Sequence, residues 1–200
     1  MCTGKCARCI GVTLYPLAVI SIICNIILFF PNWETQWAME EREGLGNRIT
    51  QEVKYMGGVI GGGIMVLIPA IHIHLTGKEG CCANRCGMFL SIAFAAVGVA
   101  GALYSFIVAI LGLVHGPTCM IFPELLPIWT TPFTDREESY LSDSNLWSIC
   151  KKPENVVEFN LALFSILLVV SSLELILCAF QMVNGLFGCL CGTCRDKGPV

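Results

Sequence analysis

The residues best suited to chemistry in this chain are its cysteines. Nine of the thirteen fall in three short clusters, and each cluster adjoins an apolar run long enough to cross a bilayer. The clusters are Cys2, Cys6 and Cys9; Cys81, Cys82 and Cys86; and Cys189, Cys191 and Cys194. Cysteines beside a membrane and near basic residues are the usual acceptors of palmitate, so we predict that these nine are palmitoylation candidates on the cytoplasmic face.

Metal binding is the alternative for the same thiols. Cys6 and Cys9, like Cys191 and Cys194, have the spacing of half a zinc site, and two such pairs would complete a tetrahedral thiolate set. No histidine accompanies them, which favours acylation over metal. The third possibility is that these cysteines carry free, unmodified thiols. We predict neither a metal nor a cofactor.

The elements that carry these clusters are predicted to be membrane helices. With 55% hydrophobic and 14% charged residues and a mean hydropathy of +0.72, the chain has too little polar surface for a soluble globule. The sequence predicts an all-α membrane protein: a single domain, 1–200, forming a four-transmembrane-helix bundle with a small disulfide-bonded extracellular loop cap. The predicted spans are 10–30, 55–75, 88–114 and 159–185.

Charge and cysteine placement orient these spans. Lysines and arginines divide evenly between the two faces, but they are denser in the segments 1–9, 76–87 and 186–200, which favours a cytoplasmic location for these three. The loops 31–54 and 115–158 are then extracellular. The larger loop holds one pair of cysteines, Cys119 and Cys150, which suits a disulfide in an oxidising compartment, whereas nine clustered thiols suit the cytosol.

Polar residues inside the spans are candidates for function, because they are costly in a bilayer. Glu174 is the only acidic residue within the predicted spans, roughly 23 Å from the outer end of the fourth. Asn25 lies much nearer the outer surface, so we predict Tyr15 or His72 as the partner of Glu174. A protonated Glu174 with a structural role is favoured over a ligand or ion site.

Glycines mark the second span as a packing surface. Gly57, Gly58, Gly61, Gly62 and Gly63 form two overlapping G-x-x-x-G pairs, which allow another backbone to approach closely. The third span offers a matching set of small residues: Ala93, Ala96, Gly98, Ala100, Gly101 and Ala102. We predict that spans two and three pack together within one chain, with a homodimer seam as the alternative.

The larger loop contains five prolines and five aromatic residues. The prolines argue against long regular elements. Four of the aromatic residues are predicted to form either the core of a cap or a surface for a partner: Trp129, Phe133, Tyr140 and Trp147. The segment 143–147 is expected to form a short helix capped by Asp143 or Ser144.

Several motifs, in order, carry a resemblance to a known family. They are the opening 1–9, Pro31 to Thr35, Gly61 to Leu67, Gly116 to Cys119, Leu146 to Cys150, and Pro153, Val156, Val157, Asn160 and Leu163 to Ser165. The chain resembles the L6 branch of the transmembrane-4 superfamily, four-span surface proteins similar in layout to tetraspanins. Ala162 stands where many relatives have the hydroxyl residue of a glycosylation sequon, so N-glycosylation of Asn160 is not expected.

The resemblance implies a non-enzymatic membrane organiser that associates with integrins, receptors or other four-span proteins and modulates adhesion, migration or proliferation. It also implies a multi-pass protein of the plasma membrane with endosomal or lysosomal cycling. Membrane lipids are expected partners, homo-oligomers remain open, and no basic patch suits nucleic acid. The alternative is a sensor or carrier that binds a sterol, another lipid or an amino acid around Glu174.

Overall fold

The computed structural model describes residues 3–33, 49–76, 85–122, 128–134 and 139–191. Within these ranges, four helical segments are long and apolar enough to cross a membrane: Lys5–Leu28, Gln51–Leu75, Phe89–His115 and Val156–Phe187. The predicted four-helix membrane architecture is therefore confirmed.

The four segments differ in how they are built. Helix α1 covers Thr3–Leu28, and a short 3-10 helix, Pro31–Trp33, follows it. The second segment has three pieces: α2 (Gln51–Lys54), a π-helix (Gly57–Ile64) and α3 (Met65–Thr76). Helix α4 covers Arg85–His115 and α5 covers Val156–Cys191. Helix α5 thus begins three residues before the predicted start of its span.

Apolar side chains line both the inside and the outside of the bundle. Inside, Leu14, Val66 and Ala102 are fully buried in one core cluster, and Leu28, Ala109 and Phe164 belong to a second. Outside, isoleucines such as Ile68 and Ile176 remain about half exposed. Helices with apolar residues on every face suit a lipid environment, where their backbone hydrogen bonds are satisfied internally.

The described residues between Gly116 and Asn155 form the cap. Strand β1 (Cys119–Ile121) pairs antiparallel with β2 (Ile128–Thr130), with Cys119 opposite Thr130, and a 3-10 helix spans Ser144–Ile149. The sequence predicted no strands, and these two add a small sheet to an otherwise helical chain. The Cys119–Cys150 disulfide closes the cap, which confirms that pairing.

The first turn of α5 is part of the cap. Val156 and Val157 are buried in the same core cluster as Phe133 and Tyr140. The first turn of α5 therefore contributes to the core of the cap as well as to the fourth apolar segment.

Candidate functional site

The π-helix in the second segment packs against three buried polar residues of the bundle, Ser21, Asn25 and Glu174. Met56, at the break before it, adopts a left-handed conformation with a φ of 51°. The break interrupts the helical bonding of neighbouring groups, and the Tyr55 carbonyl accepts a hydrogen bond from the Tyr104 hydroxyl at 2.8 Å. π-Helical turns are rare and frequently occur at functional sites, which makes this segment a candidate for one.

The five predicted glycines lie in the π-helix and are all buried. Gly57 and Gly61 face α4, where a Cβ on Gly57 would lie 2.8 Å from Cβ of Val108. Gly58 and Gly62 face α1 instead, where a Cβ on Gly62 would lie 2.7 Å from Oγ of Ser21. The glycines therefore allow close packing against both α1 and α4. The sequence predicted close packing against the third span only.

Asn25 caps the π-helix from a different helix. Its Oδ1 accepts hydrogen bonds from the backbone N–H groups of Gly58, at 2.7 Å, and Val59, at 3.2 Å. These are the second and third residues of the π-helix, and the first N–H groups of any helix lack partners within it. Met56, at the N-cap position, makes no side-chain cap. Asn25 therefore does the work of a capping residue, across the interface between two spans.

Glu174 lies fully buried one helical turn further into the bundle. Ser21 Oγ donates a hydrogen bond to its Oε1 at 3.3 Å. Its Oε2 has no hydrogen-bond partner among the described residues. Ser21 precedes Asn25 by four residues, so the two lie on the same face of α1. Together with the glycines opposite, they form a polar seam through the centre of the bundle.

The predicted partners of Glu174 were wrong. The ring of Tyr15 lies against His74 with centroids 5.8 Å apart, and the ring of His72 lies against Phe94 at 4.5 Å. The prediction placed Glu174 too deep because it took the outer ends of spans one and four, residues 30 and 159, to lie at the same level. In the structure Phe164 of α5 packs in one core cluster with Leu28 near the end of α1, so Glu174 is level with Ser21 rather than with Tyr15. Asn25 and Glu174 do not pair directly, as expected.

A second polar group joins the bundle to the cap. Thr50 Oγ1 accepts hydrogen bonds from the Thr118 backbone N–H at 3.1 Å and from Asn160 Nδ2 at 3.4 Å. Nearby, His115 Nδ1 donates to Oε1 of Glu52 at 2.5 Å. Sequence reasoning missed this group, because Thr50 and Glu52 seemed to belong to an extracellular loop and not to a helix start.

Aromatic residues hold the cap together. The rings of Phe133 and Tyr140 stack with centroids 4.5 Å apart, and Trp147 Nε1 donates to the Tyr140 carbonyl at 2.8 Å. Tyr140 donates its hydroxyl hydrogen to the Leu113 carbonyl at 2.5 Å, and burial raises the pKa of Tyr140 to about 12. The buried aromatics Trp129, Phe133 and Tyr140 are therefore part of the cap interior.

The short helix predicted in the cap is confirmed as a 3-10 helix. Asp143 precedes it and accepts a hydrogen bond from the backbone N–H of Asn145 at 2.9 Å. This is the capping role expected for Asp143 or Ser144.

Only part of the cysteine pattern falls on described side chains. Cys6 and Cys9 are exposed, three residues apart, at the beginning of α1. Cys86, Cys189 and Cys191 lie within helices α4 and α5, and Cys2, Cys81, Cys82 and Cys194 lie outside the described residues. Among the described residues, no group of three His, Cys, Asp or Glu side chains could hold a metal ion.

Comparison with known proteins yields one family. The model of the L6 membrane protein family matches residues 1–195. The chain is 43% identical to Transmembrane 4 L6 family member 1 of Homo sapiens, over 97% of this chain and 96% of the relative. It is 44% identical to member 4 of Homo sapiens over the full length of both chains, and 43% identical to member 5 of Homo sapiens over 98% of both. No solved structure matches the chain.

Proposed function

Because the chain belongs to the L6 membrane protein family, a tetraspanin-like class of multi-pass membrane proteins, we propose that it is a non-enzymatic membrane organiser. In this role it associates laterally with integrins, receptors or other four-span proteins. Through these associations it modulates adhesion, migration or proliferation. Both termini face the cytoplasm, and the protein resides in the plasma membrane and cycles through endosomes or lysosomes.

An exposed apolar surface on the cap is the observation that carries this proposal. Phe122 and Ile128 are 60% and 51% exposed and lie outside the four spans. Phe122 follows strand β1 and Ile128 opens strand β2, whose pairing places Ile128 opposite Ile121. The two residues therefore flank the same end of a small hairpin, and we call them the cap apolar pair. Large apolar side chains left exposed together are typical of protein interaction sites.

The rigidity of the cap supports the same role. The disulfide, the stacked aromatic rings and the bridge between Met120 and Lys152 fix the hairpin on the outer end of α5. An interaction surface that is already ordered loses less conformational entropy when a partner binds. The cap apolar pair is thus presented on a pre-organised support.

Acylation of the cysteine clusters would tether the other face of the protein to the membrane. Cys6 and Cys9 are exposed and therefore accessible for modification. Each buried methylene of an acyl chain contributes about 0.8 kcal/mol, so several chains would hold the tails at the lipid surface. Hydroxylamine-sensitive acyl exchange tests this directly. Labelling of the wild type that falls in a Cys6→Ser/Cys9→Ser variant supports it, whereas no labelling at any of the nine cysteines contradicts it.

Affinity capture in mild detergent, followed by mass spectrometry, tests the organiser role. The variant Phe122→Ser/Ile128→Ser removes the cap apolar pair, and Asn145→Ala is a matched change of an exposed cap residue. We expect the double variant to lose membrane-protein partners that the wild type and the control retain at equal surface expression. An identical partner set for all three proteins would contradict the proposal.

The bundle interior offers a second candidate function, the binding of a lipid such as a sterol. One observation favours it: Glu174 is fully buried, and its Oε2 has no partner within the described part of the chain. A sterol hydroxyl could donate to this oxygen. Crosslinking with a photoactivatable sterol, compared between the wild type and Glu174→Gln, tests the idea. Labelling that the substitution does not change would rule out Glu174 as a sterol ligand.

A further inference from the structure

A cavity of about 440 Å³ lies where the second and third spans meet the cap. Its floor is formed by α2, through Gln51 and Glu52, and by His115 at the end of α4. Its wall is formed by strand β2 and the residues after it, including Thr130 and Thr131. The volume falls within the roughly 300–1,000 Å³ that small-molecule sites occupy.

The floor of the cavity contains an oriented carboxylate. The side chain of Glu52 is 8% exposed, and its Oε1 accepts the hydrogen bond from His115 Nδ1. Among the described residues, Oε2 of Glu52 accepts no hydrogen bond. Unlike Oε2 of Glu174, this oxygen is not fully buried. The bond between His115 and Glu52 therefore fixes one carboxylate oxygen and leaves the other free to accept a hydrogen bond from a ligand.

The wall of the cavity is rich in hydroxyl groups. The threonines Thr118, Thr130, Thr131 and Thr134 all line it. The hydroxyls of Thr130 and Thr131 make no hydrogen bond with another described side chain or carbonyl, so they remain available as both donors and acceptors. Tyr55 and Trp129 contribute aromatic rings to the same lining.

Charge narrows the class of ligand. The lining includes no lysine or arginine, the side chains that commonly bind a phosphate or sulfate. Glu52 is the one carboxylate in the lining and already bonds His115 through Oε1, so a single carboxylate oxygen is left for a metal cation, which takes several oxygen ligands. A ligand rich in hydroxyls but uncharged matches this lining best, because each hydroxyl can both donate to the carboxylate and accept from a threonine.

We propose that this cavity binds the ring of a neutral hexose, carried by a glycolipid headgroup or by a free glycan. The cavity is at the junction of the spans and the cap, the level at which a lipid headgroup meets the protein. Access for glycolipids of the outer leaflet rests on the proposed orientation, with the cap outside the cell. The site does not include the cap apolar pair. Hexose binding can therefore be absent while partner capture is observed, and partner capture can be absent while hexose binding is observed.

Native mass spectrometry of the full chain in phosphatidylcholine nanodiscs tests the proposal. The probes are glucosylceramide and galactosylceramide, with ceramide of the same chain length as the reference and methyl β-D-glucoside as the free sugar. The main variant is Thr130→Val/Thr131→Val, which removes two hydroxyls and keeps the side-chain shape. Thr13→Val, near the opposite end of the bundle, is the matched control.

We expect a glycosylceramide to be retained over ceramide by the wild type and by the Thr13→Val control. Retention should fall about tenfold in the double variant, which corresponds to roughly 1.4 kcal/mol for two lost hydrogen bonds. Displacement by the methyl glucoside would show that the sugar suffices, and retention without displacement would show that the site requires a lipid-borne sugar.

Three outcomes would overturn the proposal. They are equal retention of ceramide and both glycosylceramides, retention that the double variant does not change, and displacement of the bound glycolipid by tetramethylammonium. The variant Glu52→Gln gives an independent check, since loss of the carboxylate should also weaken retention. Its thermal unfolding is measured alongside, so that misfolding is not mistaken for lost binding.

Discussion

Replacing Asn25 with leucine should destabilise the bundle by removing the cap of the π-helix. The backbone N–H of Gly58 is the second in its helix and loses its acceptor, whereas the N–H of Val59 keeps a bond of 3.1 Å to the Met56 carbonyl. One fully unsatisfied buried donor costs about 1–3 kcal/mol, and a weakened second donor adds a few tenths. We therefore expect Asn25→Leu to lower the free energy of unfolding by about 2–3 kcal/mol.

Unfolding in mixed micelles with increasing sodium dodecyl sulfate measures this loss. Asn25→Asp keeps an acceptor oxygen and should restore part of the stability, whereas Ile26→Ala alters the neighbouring, half-exposed side chain as a control. If Asn25→Leu unfolds at the same detergent fraction as Ile26→Ala, or if Asn25→Asp is no more stable than Asn25→Leu, then Asn25 does not cap the π-helix.

Three further predictions concern the seam and the cap. Gly62→Ala would place a methyl group 2.7 Å from Ser21 Oγ, and micellar unfolding should show a loss of about 1–3 kcal/mol. Replacing Cys119 and Cys150 with serine opens a loop of 31 residues and should cost the cap about 3–4 kcal/mol, which proteolysis of the cap would reveal. Burial raises the pKa of Tyr140 to about 12, so folding favours its neutral form. Its contribution to the free energy of unfolding is therefore present below about pH 10 and is lost as the pH rises toward 12. Over that window the thermal stability of the wild type should therefore fall more than that of Tyr140→Phe.

The sequence was sufficient to predict the four-helix architecture, because membrane insertion depends on the summed hydropathy of each segment. Hydropathy alone locates four spans, and the isolation of Cys119 and Cys150 from the clustered cysteines predicts their disulfide. Neither prediction requires knowledge of how a helix is rotated about its axis or how deep it lies in the membrane. The resemblance to the L6 family, based on short motifs in order, is confirmed by the family match over residues 1–195.

The polar seam could not be predicted because it depends on rotation and depth. Ser21 is a small residue that does not stand out in an apolar helix, yet it is the partner of Glu174. Depth counted along α5 from residue 159 was misleading, because Phe164, and not residue 159, packs level with Leu28 near the end of α1. The small residues of α4 show the same limit: Gly98 and Gly101 are buried, whereas Ala96 is exposed.

The backbone break at Met56 had no sequence signal either. A methionine with positive φ is uncommon, and the glycines after it suggested close packing rather than a π-helix. The break in turn gave Asn25 its role, since an uninterrupted helix would bond the Gly58 N–H within its own backbone. Local patterns therefore located the polar residues but did not identify the bonds they form.

The most direct test of the organiser role is the capture of an integrin β-subunit after crosslinking in living cells. The wild type and Phe122→Ser/Ile128→Ser are compared at equal surface level. We predict that the captured fraction falls about tenfold in the double variant, the loss of roughly 1.4 kcal/mol that marks an important interface residue. An equal captured fraction for both proteins would show that the cap apolar pair does not hold the partner.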